Sequence, residues 1–113
     1  MEQCEFIWKD IPGFSPYQAS NSGCIRSLKF GRNKVLKLQT TKYGYQRVSM
    51  SIAGKDTMMS VARMIAFAFI PNINCLPCIN HIDGNRLNNN VSNLEWVTYR
   101  ENNSHYMINK QNK

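Results

Sequence analysis

The chain has 113 residues, with 14 Lys and Arg against 7 Asp and Glu and a formal net charge of +7. That length holds one modest core or two small units sharing an interface. The charge points to an anionic partner, with nucleic acid ahead of a membrane surface because the polybasic amphipathic helix used for lipid binding is not visible. The longest apolar run, residues 64–70, is too short to span a bilayer, and the opening "MEQCEF" lacks the basic-then-apolar layout of an export signal. The expected compartment is the cytoplasm.

From the start of the chain, "CEFIW" alternates, "YQAS" and "CIRSL" flank the turn "NSG", "VLKLQ" alternates, and "YQRVSMSI" alternates again after Gly44. This predicts a small antiparallel sheet in which Trp8, Phe14 and Tyr17 pack. Its polar edges carry Arg26, Lys29, Arg32, Lys34, Lys37, Lys42 and Arg47, and between Glu5 and Asp56 the only acid is Asp10. So uncompensated a set of cations makes these residues candidate DNA contacts, on a ribbon that can lie in a groove and touch phosphates. Cys4, Cys24, Cys75 and Cys78 read as free cysteines of a reducing compartment. "CLPC" has zinc-like spacing, but no second CxxC accompanies it, and structural zinc is not expected.

A hairpin through "IAGKD" leads into the helix "SVARMIAFAFI", with Ser60 as its cap and Val61, Met64, Ile65 and Ala68 as its apolar stripe. Arg63 sits off the stripe and is expected to face water, the alternative being a phosphate. Pro71 ends the helix, and "NINCLPC" is a connector. Then "CINHI" reads as a strand, "DGNRLNNN" as a turn-rich loop, "LEWVT" as a returning strand and "YRENNSHYMI" as a helix with Thr98 as cap and Glu101 at the capping-box position. This ββα order sets His81 opposite Asn102 across a small cleft, and Trp96, between Leu94 and Val97, anchors the core. Asp83 is expected in a turn bonding its own backbone, the alternative being a carboxylate that substitutes at the site. Asn85, Asn88, Asn89 and Asn90 are expected to supply left-handed backbone conformations. The fold class is α+β: a β-rich region over residues 1–54, then a helix and the ββα unit within residues 55–113.

His81, Asn93 and Asn102 stand in the order and spacing of the three signature positions of the HNH nuclease family, which the chain resembles through "NHIDGN", "NLEWVT" and "ENN". Asparagine at the last position is found in many phage and intron-encoded members. The stretch "WKDIPGFSPYQASNSGCIRSL" is similar to the NUMOD-type motif that precedes the nuclease domain in HNH homing endonucleases. "GYQRVSMS" with "VARMIAFAFIPN" resembles their connecting segment.

The resemblance implies a phage-borne, metal-dependent endonuclease acting on double-stranded DNA. In it His81 is the general base, and Asn80 and Asn102 hold one Mg²⁺ or Mn²⁺. Asn93 holds the loop by backbone hydrogen bonds and so fixes the His81 ring. His105, three residues past Asn102, is either an added metal or phosphate contact or a helix-end histidine. One active site per chain implies a nick leaving 5′-phosphate and 3′-hydroxyl ends. The position of Asn80 is aspartate in several members, and an amide offers a dipole where a carboxylate offers a full charge. The alternative is therefore an HNH scaffold with weak or lost catalysis that binds DNA or a protein partner.

Overall fold

A computed structural model describes residues 6–102. Cys4, His105 and the part of the last predicted helix beyond Asn102 lie outside the described residues. The first sheet pairs β1 (Trp8–Asp10), β2 (Tyr17–Ser20), β3 (Ile25–Ser27) and β4 (Lys34–Val35) antiparallel in chain order. Strand alternation turns Tyr17, Ala19 and Ile25 into the core and Arg26 outward. In the turn between β2 and β3, Ser20 Oγ accepts from the Cys24 and Ser22 N–H groups at 2.9 and 3.3 Å. Gly23 takes a φ of +98° there.

Two expectations for this sheet are corrected. Of the described part of "CEFIW", only Trp8 lies in β1, because Ile7 exchanges its hydrogen bonds with Asn21: the Ile7 N–H donates to Asn21 Oδ1 at 3.0 Å and the Asn21 N–H to Ile7 O at 3.1 Å. The "VLKLQ" stretch is not one strand. It crosses from β4 to β5 (Gln39–Thr40), which belongs to a second sheet. Leu36 and Leu38 pack against the core on the way, and burying two leucines stabilises more than lengthening an exposed edge.

The second sheet joins β5, β6 (Gln46–Ile52) and β7 (Lys55–Ser60). Along β6, Val48 and Met50 are buried while Arg47 and Ser49 face out. At the hairpin tip Ala53 and Gly54 both take positive φ, 52° and 78°, which matches the twist of the two strands. Helix α1 (Val61–Phe69) follows at once, with the Arg63 N–H donating to its cap Ser60 Oγ at 3.3 Å. Val61, Met64 and Ile65 are fully buried, and Pro71 follows the cap residue Ile70. Arg63 does not simply face water: it donates to Pro77 O at 2.9 Å and lies 5.7 Å from both the Phe67 and Trp96 rings. It thereby ties the helix to the chain entering the last hairpin.

That hairpin pairs β8 (Cys78–His81) with β9 (Leu94–Val97), with Asn80 opposite Glu95 and His81 opposite Leu94. Trp96 is buried and donates from Nε1 to Ile70 O at 2.9 Å. The capping box is formed: the Thr98 N–H donates to Glu101 Oε1 and the Glu101 N–H to Thr98 Oγ1, both at 3.0 Å. Residues 99–102 are helical. A single apolar cluster runs through Ile11, Tyr17, Ile25, Met50, Met64 and Leu94, so residues from both halves of the chain share it. The architecture is α+β. Among the described residues no helix is long and apolar enough to cross a membrane, and Cys24, Cys75 and Cys78 are free thiols.

Candidate active site

The loop between β8 and β9 is built from amides. Asp83 Oδ1 accepts from the Asn85 N–H at 2.7 Å, Asn85 Oδ1 from the Leu87 N–H at 3.0 Å, Asn88 Oδ1 from the Asn90 N–H at 3.3 Å and Asn90 Oδ1 from the Ser92 N–H at 3.0 Å. Each side chain closes a turn on the residue two positions ahead. The expected left-handed conformations are absent: the non-glycine residues with positive φ among those described are Phe30, Ala53 and Cys75. A short polar side chain serves either purpose, and here it supplies an acceptor to backbone N–H groups that the irregular loop leaves unpaired.

Asn93 closes this loop on itself. Its Oδ1 accepts from the Asp83 N–H at 2.9 Å, and its Nδ2 donates to Asp83 Oδ1 and Asn88 O, each at 2.9 Å. Asp83, which takes the turn role expected of it, also accepts from Asn88 Nδ2 at 2.9 Å. The donation from Asn88, then those from the Asn85 backbone and Asn93, hold its carboxyl below the usual carboxylate range.

His81 sits at the end of β8 with 7% of its surface exposed. Its Nε2 lies 2.8 Å from Asn89 Oδ1, so the bond to the ring comes from Asn89, while Asn93 braces the surrounding backbone. Asn89 Nδ2 donates in turn to Gln46 Oε1 on β6 at 3.0 Å. Beside them, the Tyr45 ring lies 6.3 Å from the His81 ring, and the Arg86 guanidinium covers Tyr45 at 4.5 Å while donating to Tyr43 O at 2.7 Å. The second sheet therefore forms one wall of the site. Asn89, Gln46, Tyr45 and Arg86 were not singled out for this by the sequence. Asn89 and Gln46 are 43 positions apart, and no local pattern carries such a pairing.

Asn80 is 6% exposed, and its Nδ2 donates to Glu95 Oε2 across the hairpin at 2.8 Å. Nothing among the described residues donates to its Oδ1. A buried amide oxygen without a donor is unusual and fits an oxygen-seeking divalent ion, whose charge would be further balanced by the Glu95 carboxylate. Asn102 is half-buried in the first helical turn, its N–H donating to Thr98 O at 3.0 Å. No cluster of three or more His, Cys, Asp and Glu able to hold a metal occurs among the described residues; the candidate ligands are amides.

The expected DNA contacts divide in two. Arg26 is held by two hydrogen bonds to Gln18 Oε1, at 2.9 and 2.7 Å, and lies over the Trp8 ring, and Lys29 lies over Tyr17. Arg32, Lys34, Lys37, Lys42 and Arg47 are exposed, Lys42 lying 5.1 Å over the ring of its neighbour Tyr43. Between the two groups, at the tip joining β3 to β4, Phe30 is 93% exposed with a φ of 56°. An exposed aromatic ring set among cations is a feature that composition alone did not single out.

The profile of the NUMOD4 motif matches residues 7–51, and that of the HNH endonuclease matches residues 78–104. The chain is 43% identical over 102 residues to "Uncharacterized HNH endonuclease L245" of Acanthamoeba polyphaga mimivirus, covering 90% of this chain and 30% of the relative. It is 41% identical over 96 residues to "DNA endonuclease I-HmuI" of Bacillus phage SP01, covering 84% of this chain and 54% of the relative. A solved structure described as "DNA binding and cleavage by the HNH homing endonuclease I-HmuI" superposes with a TM-score of 0.79 at 39% identity, over 92% of this chain and 59% of that one. The chain thus spans about half the length of the phage relative and 30% of the mimivirus one.

Proposed function

From the premise that this chain belongs to the HNH endonuclease family, with a NUMOD4 motif ahead of its HNH segment, we propose that it is a metal-dependent DNA endonuclease that nicks one strand of a duplex. Two observations carry this reading: a buried, amide-braced imidazole, His81, and, at the preceding position in the strand, a buried Asn80 whose Oδ1 no described residue donates to.

Phosphodiester hydrolysis needs a water made nucleophilic, charge relief at the phosphorus and a stabilised leaving oxygen. His81 takes a proton from the attacking water, a task for which a neutral imidazole is suited near neutral pH. Asn93 does not touch the reacting atoms; it holds residues 83–93 in the shape that presents the ring. Asn80 and Asn102 would hold a divalent ion, Mg²⁺ or Mn²⁺, which would supply positive charge to offset the negative charge developing on the phosphodiester and its leaving 3′ oxygen. Departure of that oxygen leaves 5′-phosphate and 3′-hydroxyl ends. Arg32, Lys34, Lys37, Lys42 and Arg47 contact phosphates and orient the duplex, with the exposed Phe30 ring beside them.

Supercoiled plasmid incubated with the protein and Mg²⁺ or Mn²⁺ is expected to become open circle, and EDTA is expected to stop the conversion. An intact plasmid in both metals, together with a salt-sensitive gel shift, would identify a DNA-binding scaffold without catalysis. The amide at position 80 is what favours that second reading.

A further inference from the structure

Asn89 is 3% exposed and has both ends of its carboxamide engaged, Oδ1 with His81 Nε2 at 2.8 Å and Nδ2 with Gln46 Oε1 at 3.0 Å. The two ends are not interchangeable: the oxygen only accepts and the nitrogen only donates. With Nδ2 donating to Gln46 Oε1, Oδ1 is the end that meets the ring. Only a ring nitrogen bearing hydrogen can satisfy it, so Nε2 carries the proton of the neutral imidazole. The lone pair then lies on Nδ1, the nitrogen left to take a proton from water. The backbone of Asn89 is fixed from the other side as well. A Cβ on Gly23 would lie 3.2 Å from both Asn89 O and Asn89 Cβ, so the turn between β2 and β3 closes on Asn89.

Resting on the reading of His81 as general base, we propose that Gln46 and Asn89 form an amide relay that locks His81 in its Nε2–H tautomer and leaves Nδ1 as the proton acceptor. Gln46 lies within the NUMOD4-matched stretch, outside the HNH-matched one. The relay thus gives the second sheet a part in setting the base, and makes Gln46 and Asn89 positioning residues. Without an acceptor at position 46, nothing stops the Asn89 amide from turning about its last bond. Its Nδ2 would then face Nε2, stabilise the Nδ1–H form and turn the lone pair away from water.

The test reads the tautomer in the metal-free, full chain by ¹⁵N NMR at a pH where the ring is neutral. Long-range spectra separate the hydrogen-bearing nitrogen from the bare one, and His105→Gln assigns the signals, since the chain has 2 histidines. The wild-type protein is expected to show Nε2–H alone. Gln46→Glu, which can only accept from Asn89, keeps that form. Gln46→Leu mixes the two forms, and Gln46→Lys, which can only donate, shifts the ring toward Nδ1–H.

In plasmid nicking, Gln46→Leu is expected to lower kcat on the order of 10- to 100-fold, the scale known for losing a partner that orients a metal-bound histidine, with KM for DNA unchanged. Gln46→Glu restores kcat. A wild-type ring in the Nδ1–H form overturns the relay, and so does a tautomer that ignores both Gln46→Leu and Gln46→Lys in folded protein. If the tautomer follows the variants but His81→Ala nicks at the wild-type rate, the relay stands as structure and the assignment of His81 as base is what fails.

Discussion

The loop at residues 83–93 and the cationic stretch at residues 32–47 are both polar and both irregular in part, yet they are built on opposite principles. In the loop, Asp83, Asn88, Asn89 and Asn93 are bonded to one another, to backbone or to Gln46. In the cationic stretch, Arg32, Lys34, Lys37 and Arg47 are exposed, and the exposed Lys42 lies over the ring of its neighbour Tyr43. A neutral amide can be fixed in a packed site at modest desolvation cost because it both donates and accepts. A lysine or arginine keeps its charge in water and stays adjustable. One region specifies a geometry, and the other supplies a field.

That contrast sets the size of the expected effects. The largest belongs to Asn93→Ala, which removes two donated bonds and one accepted bond and leaves the Asp83 N–H and Asn88 O to find new partners. Urea unfolding should show a loss of about 1–3 kcal/mol, and nicking should fall with it. Gly23→Ala comes next, because it adds a Cβ against Asn89 at a φ of +98°. A cost of about 1 kcal/mol or more is expected, together with weaker nicking, though position 23 lies outside the HNH-matched residues.

Lys34→Ala and Lys37→Ala should leave the unfolding midpoint within about 0.5 kcal/mol of wild type. Instead, each should weaken DNA binding across all sequences and reduce the salt slope by about one unit, read from gel shifts over a salt series. A cationic variant that unfolds the protein, or an Asn93 variant that changes only the salt slope, would break the division between the regions.

The smallest effect is the pH response of Asp83. Its carboxyl lies below its usual range in the folded loop, so its contribution is present above the unfolded value of about 3.9 and is lost as pH falls through and below it. Thermal unfolding at pH 5 and pH 3 should show a slightly larger drop for wild type than for Asp83→Asn.

How much of this was legible in the sequence depends on distance along the chain. The Ser60 and Thr98 caps and the Ala53–Gly54 hairpin use partners a few residues apart, and the β8–β9 pairing joins two alternating runs across one loop, so their patterns are local. The asparagine run announced an irregular loop, but left-handed backbone and side-chain turns draw on the same residue, and only the i to i+2 spacing of Asp83, Asn85, Asn88 and Asn90 with their targets hinted at the second. The crossing at Leu36 and Leu38 reads as alternation because both sheets bury residues on that period. Glu95 opposite Asn80, and Gln46 behind Asn89, follow from strand register and sheet packing. Arg26 and Lys29 look like the other cations in composition, yet neighbouring Gln18, Trp8 and Tyr17 occupy them.

The most direct test of the central claim compares wild type and His81→Ala on the same supercoiled plasmid with Mg²⁺ and with Mn²⁺, after a gel shift has shown that both bind DNA equally. The account predicts open circle from wild type only, with a loss of at least about 10²-fold in the variant, the scale of general-base catalysis. Open circle formed by His81→Ala at the wild-type rate would contradict it.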